Sequence, residues 1–213
     1  MDWRKKLSND SNLYLILDSG VNNYKRLLEI AVEAVRNGVD LVQLRDKSGS
    51  AIEMMRFYHS FLKQTDRKIP FIVNDRVDVC DAAGATGVHL GQEDLSLRYA
   101  RKILGDEKII GISCQTIEQA RKAQNDGADY IGFGSVFATQ TKPGRKPMDL
   151  ELLREVVAEI EIPVFAIGGI NNSNIEILKK KGVRRFAVCR AICLSENVSQ
   201  MACTAKKIIN AQD

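Results

Sequence analysis

Phe71-Ile72-Val73-Asn74-Asp75-Arg76 is the stretch from which the fold can be read. Its apolar start reads as a short buried strand. The polarity then flips, and an amide and a carboxylate stand together at the strand's end. A charge in such a place is costly unless it meets water, a cation or a metal. The same event recurs along the chain: an apolar strand, then polar groups or glycines at its C-terminal end, then a helix.

Working outward, strands are expected at Leu13–Leu17, Leu41–Arg45, Phe71–Asn74, Gly87–Leu90, Ile109–Ser113, Tyr130–Phe133, Pro163–Ile167 and Arg185–Cys189. Helices are expected at Asn22–Asn37, Ala51–Thr65, Val77–Ala83, Leu95–Leu104, Ile117–Asn125, Leu150–Ile160, Asn172–Lys181 and Ser199–Ile209. The first helix shows the logic: Leu27, Leu28, Ala31, Val32 and Val35 form one apolar stripe at helical spacing, and Gly38 stops it. Strands separated by helices must be parallel, because each helix is a crossover. Eight such units, repeating roughly every 25 residues, predict an α/β fold, a single (β/α)8 TIM barrel at the small end of its class. An open doubly wound sheet is the alternative, but the first loop, Asp18-Ser19-Gly20, is not a G-x-G-x-x-G turn. No linker divides the chain, so residues 1–213 read as one domain with a polar, peripheral segment at 1–12.

The chain has 213 residues, of which 45% are hydrophobic and 27% charged, enough to bury a core. A net charge of +4 suits anionic small molecules and is too weak to argue for nucleic acid. Cys80, Cys114, Cys189, Cys193 and Cys203 are odd in number and contain no Cys-x-x-Cys pair. A reduced, cytoplasmic chain without a disulfide framework is expected. No apolar run approaches the roughly 18 residues of a membrane span, and Met1-Asp2-Trp3-Arg4-Lys5-Lys6 lacks the apolar segment of a signal peptide. The expected partners are small molecules, with neither nucleic acid nor membrane, and a homo-oligomer is compatible with all of this.

In parallel barrels the loops after the strands share one rim, and sites form there. Gln43, Arg45 and Lys47 alternate, so Gln43 and Arg45 point into the barrel mouth with Lys47 beyond, while Val42 and Leu44 face the helices. They read as an anion site or as an inward ion pair closing the barrel. Asp75 and Asp94 end neighbouring units and can share a hard cation such as Mg²⁺ with water and a substrate phosphate. Asp94 can instead cap the helix at Leu95. Ser113 ends the fifth strand, where a capping or packing role is equally open. The loop Thr139 to Pro147 carries Thr139, Gln140, Thr141, Lys142, Arg145 and Lys146, suited to phosphate and long enough for a mobile lid, or simply a solvated loop. Gly168-Gly169 and Cys189-Arg190-Ala191 complete the rim as a phosphate site or, for the glycines, a tight turn. His59 reads as surface or packing and His89 as a satisfied core histidine. No Ser-His-Asp or Cys-His set is legible.

Taken together, Gln43-Leu-Arg-Asp-Lys47, Asn74-Asp-Arg76 with Asp78, Gly87-Val-His-Leu-Gly-Gln-Glu-Asp94, Gly111-Ile-Ser113, Gly132-Phe-Gly with Thr139-Gln-Thr-Lys142, and Ala166-Ile-Gly-Gly-Ile170 resemble the thiamine phosphate synthase family from about Leu13 to Ile192. The resemblance implies an Mg²⁺-dependent transferase. It would join 4-amino-5-hydroxymethyl-2-methylpyrimidine diphosphate to a thiazole phosphate, with a carboxylated or plain ring, and release pyrophosphate. It implies that Gln43, Leu44, Arg45, Asp46, Lys47, Asn74, Ser113 and Lys142 hold the pyrimidine diphosphate, with Arg45, Lys47 and Lys142 catalytic. It implies Mg²⁺ on Asp75 and Asp94. Thr139, Gln140, Thr141, Gly168, Gly169, Cys189 and Arg190 are implied for the thiazole phosphate. Arg190 stands where the family commonly has Ser, Gln115 stands where it has His, and the stretch Pro143 to Pro147 is short. The rival readings are a thiazole tautomerase, a phosphosugar epimerase and a non-catalytic paralogue that binds thiazole phosphate. The cationic set with its aspartates favours the synthase, and Gln115 is a poor proton-transfer group for a tautomerase.

Overall fold

The computed structural model of the chain describes residues 2–66, 69–140, 144 and 146–211. Eight parallel strands close a barrel in sequential order. They are β1 (Leu13–Asp18), β2 (Leu41–Arg45), β3 (Phe71–Asn74), β4 (Gly87–Leu90), β5 (Ile109–Cys114), β6 (Tyr130–Phe133), β7 (Val164–Ile167) and β8 (Phe186–Val188). The last strand returns to the first, with Leu13 opposite Phe186 and Leu15 opposite Val188. After α1 (Trp3–Asn9), seven helices each follow one strand: α2 (Tyr24–Arg36), α3 (Ala51–Thr65), α4 (Val77–Ala83), α5 (Leu97–Leu104), α6 (Ile117–Asn125), α7 (Leu150–Glu159) and α8 (Ile175–Lys179). Two helices, α9 (Arg190–Cys193) and α10 (Val198–Asn210), follow β8. This is the (β/α)8 barrel that the repeating pattern predicts.

Strand alternation divides the interior into two cores. Leu13, Leu15 and Leu17 of β1 face outward with Val42, Leu44, Val73 and Val88, and the helices cover them. Tyr14 and Ile16 face the barrel axis with Leu41, Ile72, Ile109, Tyr130 and Phe165. Each fully buried Leu, Val, Ile or Phe contributes roughly 1.5–3 kcal/mol, so the outer core carries most of the stability. The helix starts are marked by side chains that accept backbone N–H groups: Asn23 from Arg26, Ser50 from Glu53, and Thr116 from Gln119. Such a cap contributes about 1 kcal/mol. Gly84, at φ 70°, ends α4 in a left-handed turn where a Cβ would be strained.

Three local differences from the sequence pattern have physical causes. Residues 3–9, expected to be polar and peripheral, form α1. Asp2 caps it, and Leu7, fully buried, joins the inner core with Trp3 packed alongside. Arg4 bonds to Asp129 and to the Lys108 carbonyl (3.2 Å), which fixes α1 across the N-terminal end of the barrel. The helix expected from Leu95 begins at Leu97 with Ser96 as its cap residue. Asp94 does not cap it, because its carboxylate turns back to accept the Gly91 N–H at 2.7 Å. The helix after β7 is shorter than expected, because Asn171 and Asn174 bond within the turn before it. No helix among the described residues is long and apolar enough to cross a membrane.

Candidate active site

The C-terminal ends of the strands open into a cavity of about 560 Å³. Gln43, Arg45, Asn74 and Ser113 line it from β2, β3 and β5. Arg45 donates from its guanidinium to the buried Asp18 carboxylate at 2.7 Å. The inward ion pair and the rim cation are therefore one arrangement, since a guanidinium has further N–H groups to offer. Asn74 is buried, and among the described residues its Nδ2 has no hydrogen-bond partner. A buried donor left unmade is unusual unless a ligand completes it.

Lys47, Asp75 and Asp94 sit just outside these groups at the mouth. Lys47 pairs with Asp75. Asp75 is held at φ 62°, a region that Asp tolerates better than most residues, and its N–H donates to the His89 carbonyl at 2.8 Å. That turn aims its carboxyl at Asp94. Burial pushes the Asp75 carboxyl above its ordinary range and the contact with Asp94 pushes it further, against the pull of Lys47. Burial also raises Asp94, but its hydrogen bonds from Asp75 and from the Gly91 N–H outweigh that and leave it below its ordinary range. Of the two carboxyls, Asp75 is thus the one that holds a proton more readily. Carboxylate oxygens without a His or Cys suit a hard cation such as Mg²⁺, which takes few protein ligands and fills its shell with water and phosphate oxygens. Among the described residues no three or more His, Cys, Asp or Glu groups gather as a complete metal cage.

Two residues of the implied diphosphate set lie elsewhere. The Leu44 side chain is fully buried against the helices, away from the cavity. Asp46 spends its carboxylate on its own loop, accepting from the Tyr24 hydroxyl (2.6 Å) and from the N–H groups of Ser48 (2.9 Å) and Gly49 (2.7 Å). Burial raises the Asp46 carboxyl, but these bonds dominate and pull it down to about 2. Its role is to shape the turn that carries Lys47.

Thr139, Gln140, Gly168, Gly169, Cys189 and Arg190 also line the cavity. Gly168 has φ +108°, and a Cβ on it would stand 2.2 Å from Ser135 Oγ. Gly169 has φ +65°, and its Cβ would stand 2.6 Å from the Ala138 carbonyl. Both glycines are therefore demanded by the close approach of the loop after β6 to the loop after β7, as well as opening backbone to a ligand. Arg190, the first residue of α9, is half-buried on the cavity wall. Thr141, Lys142 and Arg145 lie outside the described residues. Gln115 is exposed, and its N–H is tied to Gln119 Oε1 at 2.8 Å.

The cavity floor and Asp18 were not among the expected site residues. Tyr14, His89 and Phe165 line the cavity from below, with Tyr130 buried beneath them and bonded to both Tyr14 (2.8 Å) and His89 (3.0 Å). His89 also meets Ser113 Oγ at 2.9 Å, so it is satisfied, as a core histidine should be, and faces the cavity as well.

The family model described as thiamine monophosphate synthase matches residues 13–192. A thiamine-phosphate synthase of Clostridium tetani is 42% identical over 192 residues, covering 90% of this chain and 92% of that protein. One of Persephonella marina is 43% identical over 202 residues, covering 94% and 96%. Among solved structures, the thiamine phosphate pyrophosphorylase from Pyrococcus furiosus superposes with a TM-score of 0.85 at 37% identity, covering 97% of this chain and 96% of that one. A (S)-3-O-geranylgeranylglyceryl phosphate synthase from Thermoplasma acidophilum, at 17% identity and a TM-score of 0.73, shares the fold alone. With the family model spanning the barrel from β1 to α9 and these relatives matching over nearly their whole length, the chain belongs to the thiamine monophosphate synthase family.

Proposed function

We propose that the chain is a transferase that joins 4-amino-5-hydroxymethyl-2-methylpyrimidine diphosphate to a thiazole phosphate, giving thiamine phosphate and pyrophosphate. The observation that carries this reading is the convergence of Arg45, Lys47, the unpartnered Asn74 amide and the Asp75–Asp94 pair on one side of a cavity whose other wall carries Gly168, Gly169 and Arg190. Two anionic groups are served by one chamber, which is what joining two phosphorylated rings requires.

The chemistry asks little covalent work of the protein. The pyrimidine amino group pushes electrons toward the exocyclic methylene carbon. The carbon–oxygen bond breaks, and its electron pair leaves on the diphosphate. The thiazole nitrogen then gives its lone pair to the same carbon, forming the carbon–nitrogen bond. No side-chain nucleophile takes part. Arg45 and Lys47 meet the charge that develops on the leaving oxygens, and Asn74 donates its free N–H to them. Groups set in advance around a developing charge are each worth roughly 10²–10³ in rate. Asp75 and Asp94 would hold Mg²⁺, which when bound neutralises part of the diphosphate charge. Gln43 and Ser113 seat the pyrimidine ring, while the loops after β7 and β8 hold the thiazole phosphate in line with the reacting carbon. Charged precursors of this kind and five free thiols support a cytoplasmic location.

The test is direct. The protein is incubated with Mg²⁺ and both phosphorylated precursors, and pyrophosphate and thiamine phosphate are measured. Equal amounts of both products, dependent on both precursors, are expected. Neither product from folded protein would overturn the reading.

A further inference from the structure

The short turn after β8 carries two thiols whose sulfur atoms the coupling chemistry above does not use. Cys189 follows β8, lines the cavity and is half-buried. Cys193, one turn later at the end of α9, is 3% exposed. The Cys189 carbonyl accepts the Cys193 N–H at 2.9 Å, so the two residues stand one above the other on the same face. Their thiols interact directly.

Different surroundings hold the two. Cys193 is fixed from the β1 side. Its Sγ donates to the Ile16 carbonyl at 3.5 Å, and its own carbonyl accepts from Asn22 Nδ2 at 2.8 Å. Cys189, with φ −122° and ψ −89°, lies outside the helical region as the residue before the first turn of α9. It is the hinge of the pair, and it is the thiol that a solute in the cavity reaches. Contact with Cys189 and burial both hold the Cys193 thiol protonated. Burial pushes the Cys80 and Cys114 thiols up to about 12, which leaves them poor nucleophiles.

The gap between the two thiol-bearing residues is small. Residues four apart on a helix hold their Cβ atoms about 5–6 Å apart, and a disulfide needs about 3.5–4.5 Å. A movement of roughly 1–2 Å therefore closes the bond, and it falls on Cys189 because Cys193 is tied to β1. Arg190 and Ala191, both on the cavity wall, ride on the same turn.

We propose that Cys189 is an oxidation site with Cys193 as its resolving partner, and that the bond between them reshapes the wall that carries Arg190. The oxidant is a hydroperoxide. The Cys189 sulfur gives an electron pair to one peroxide oxygen, the oxygen–oxygen bond breaks, and a sulfenic acid forms as hydrogen peroxide releases one water. The Cys193 sulfur then attacks the Cys189 sulfur. The sulfur–oxygen bond breaks, and the departing hydroxide takes the Cys193 proton and leaves as a second water. Two thiols have become one disulfide, and the peroxide has been reduced. Thiol reductants reverse the bond, as a redox-sensing pair in a reduced compartment requires. The effect on substrate binding rests on the function proposed above; the bond does not.

Peptide mapping tests the bond without turnover. Trypsin cuts after Arg190, so a bond between Cys189 and Cys193 joins two peptides, residues 186–190 and 191–206, that otherwise separate. Full-length Cys203→Ser removes the second cysteine from the longer peptide. After treatment of this variant with hydrogen peroxide and blocking of free thiols, the joined pair is expected in mass spectra, and reduction should abolish it. With Cys193→Ser no joined pair is expected, and dimedone, which captures sulfenic acids, should label Cys189. Peptides that stay separate, or dimedone that leaves Cys189 unlabelled, overturn the proposal.

Turnover tests the consequence. The joined protein should show KM for the thiazole phosphate raised about tenfold, and reductant should restore it. A fully joined protein with unchanged KM overturns the effect on the wall. If neither the reduced nor the joined protein releases pyrophosphate, the function fails while the peptide map still decides the bond.

Discussion

Asp18→Asn isolates the anchor of Arg45 with almost no change in shape. The amide oxygen still accepts the Gly20 N–H, a bond of 2.9 Å, so the loss is confined to the 2.7 Å ion pair. Asp18 is nearly sealed, with 6% of its side chain exposed, while Arg45 retains 18%. A hydrogen bond to a charged group is worth about 1.5–3 kcal/mol, and a fully exposed pair about 0–1 kcal/mol. The geometry lies between these cases, so a cost of about 1.5–2 kcal/mol is expected. For a chain of 213 residues each kcal/mol moves Tm by about 2–4 °C, giving a fall of roughly 3–8 °C by calorimetry. Pyrophosphate with Mg²⁺ should then raise Tm more in the variant than in the wild type, because a repelling carboxylate has left the anion site and Arg45 gains a new partner. Turnover should fall, since the guanidinium is less well aimed. A variant melting within a degree of the wild type, or equal shifts with pyrophosphate, would refute this account of the Asp18–Arg45 pair.

Asp75→Ala should lower pyrophosphate release at least about 100-fold and weaken its dependence on Mg²⁺; near-normal turnover with the usual Mg²⁺ dependence would contradict the metal assignment. Arg190→Ser should raise KM for the thiazole phosphate about tenfold, the effect of roughly 1.4 kcal/mol of lost charge contact, with kcat little changed; an unaltered KM would show that the guanidinium does not reach the phosphate. Tyr24→Phe should destabilise the protein by about 1–2 kcal/mol at neutral pH by removing the hydroxyl that holds Asp46. The folded Asp46 carboxyl sits at about 2, below its unfolded value of about 3.9. Its contribution is therefore complete above about pH 4 and lost as pH falls toward 2, and wild-type and variant unfolding curves should converge over that window. Leu7→Ala should cost about 2–5 kcal/mol by opening a cavity at the closed end of the barrel; a cost under about 0.5 kcal/mol would mean that α1 is not part of the folded core.

The barrel was legible because each strand announces itself twice, by its apolar run and by the polarity flip at its end. Phe71 to Asp75 shows both, and the cavity opens where that flip occurs. The helix α1 was hidden because Trp3 and Leu7 are its only large apolar residues, too few to show a stripe among Arg4, Lys5 and Lys6. The role of Asp46 was hidden because a carboxylate that accepts from its own turn reads the same in sequence as one awaiting a ligand. Asp94 was open to two readings: its place before Leu95 suits a helix cap, but Gly91, without a Cβ, lets the chain fold back onto it. The floor was illegible for a different reason. Tyr14 and Tyr130 lie within apolar strands, where an aromatic ring normally reads as packing, and only the closed barrel brings their hydroxyls together. The glycines at 111 and 132 were the available signal, because glycine inside a strand marks a close approach by something else.

The central claim is that acids and bases from separate strands gather on a departing diphosphate. A crystal of the protein with thiamine phosphate, pyrophosphate and Mg²⁺ measures this most directly. The account predicts the metal at about 2.0–2.1 Å from carboxylate oxygens of Asp75 and Asp94, with pyrophosphate against Arg45, Lys47 and Asn74. Pyrophosphate bound elsewhere, or a metal away from both aspartates, would contradict it.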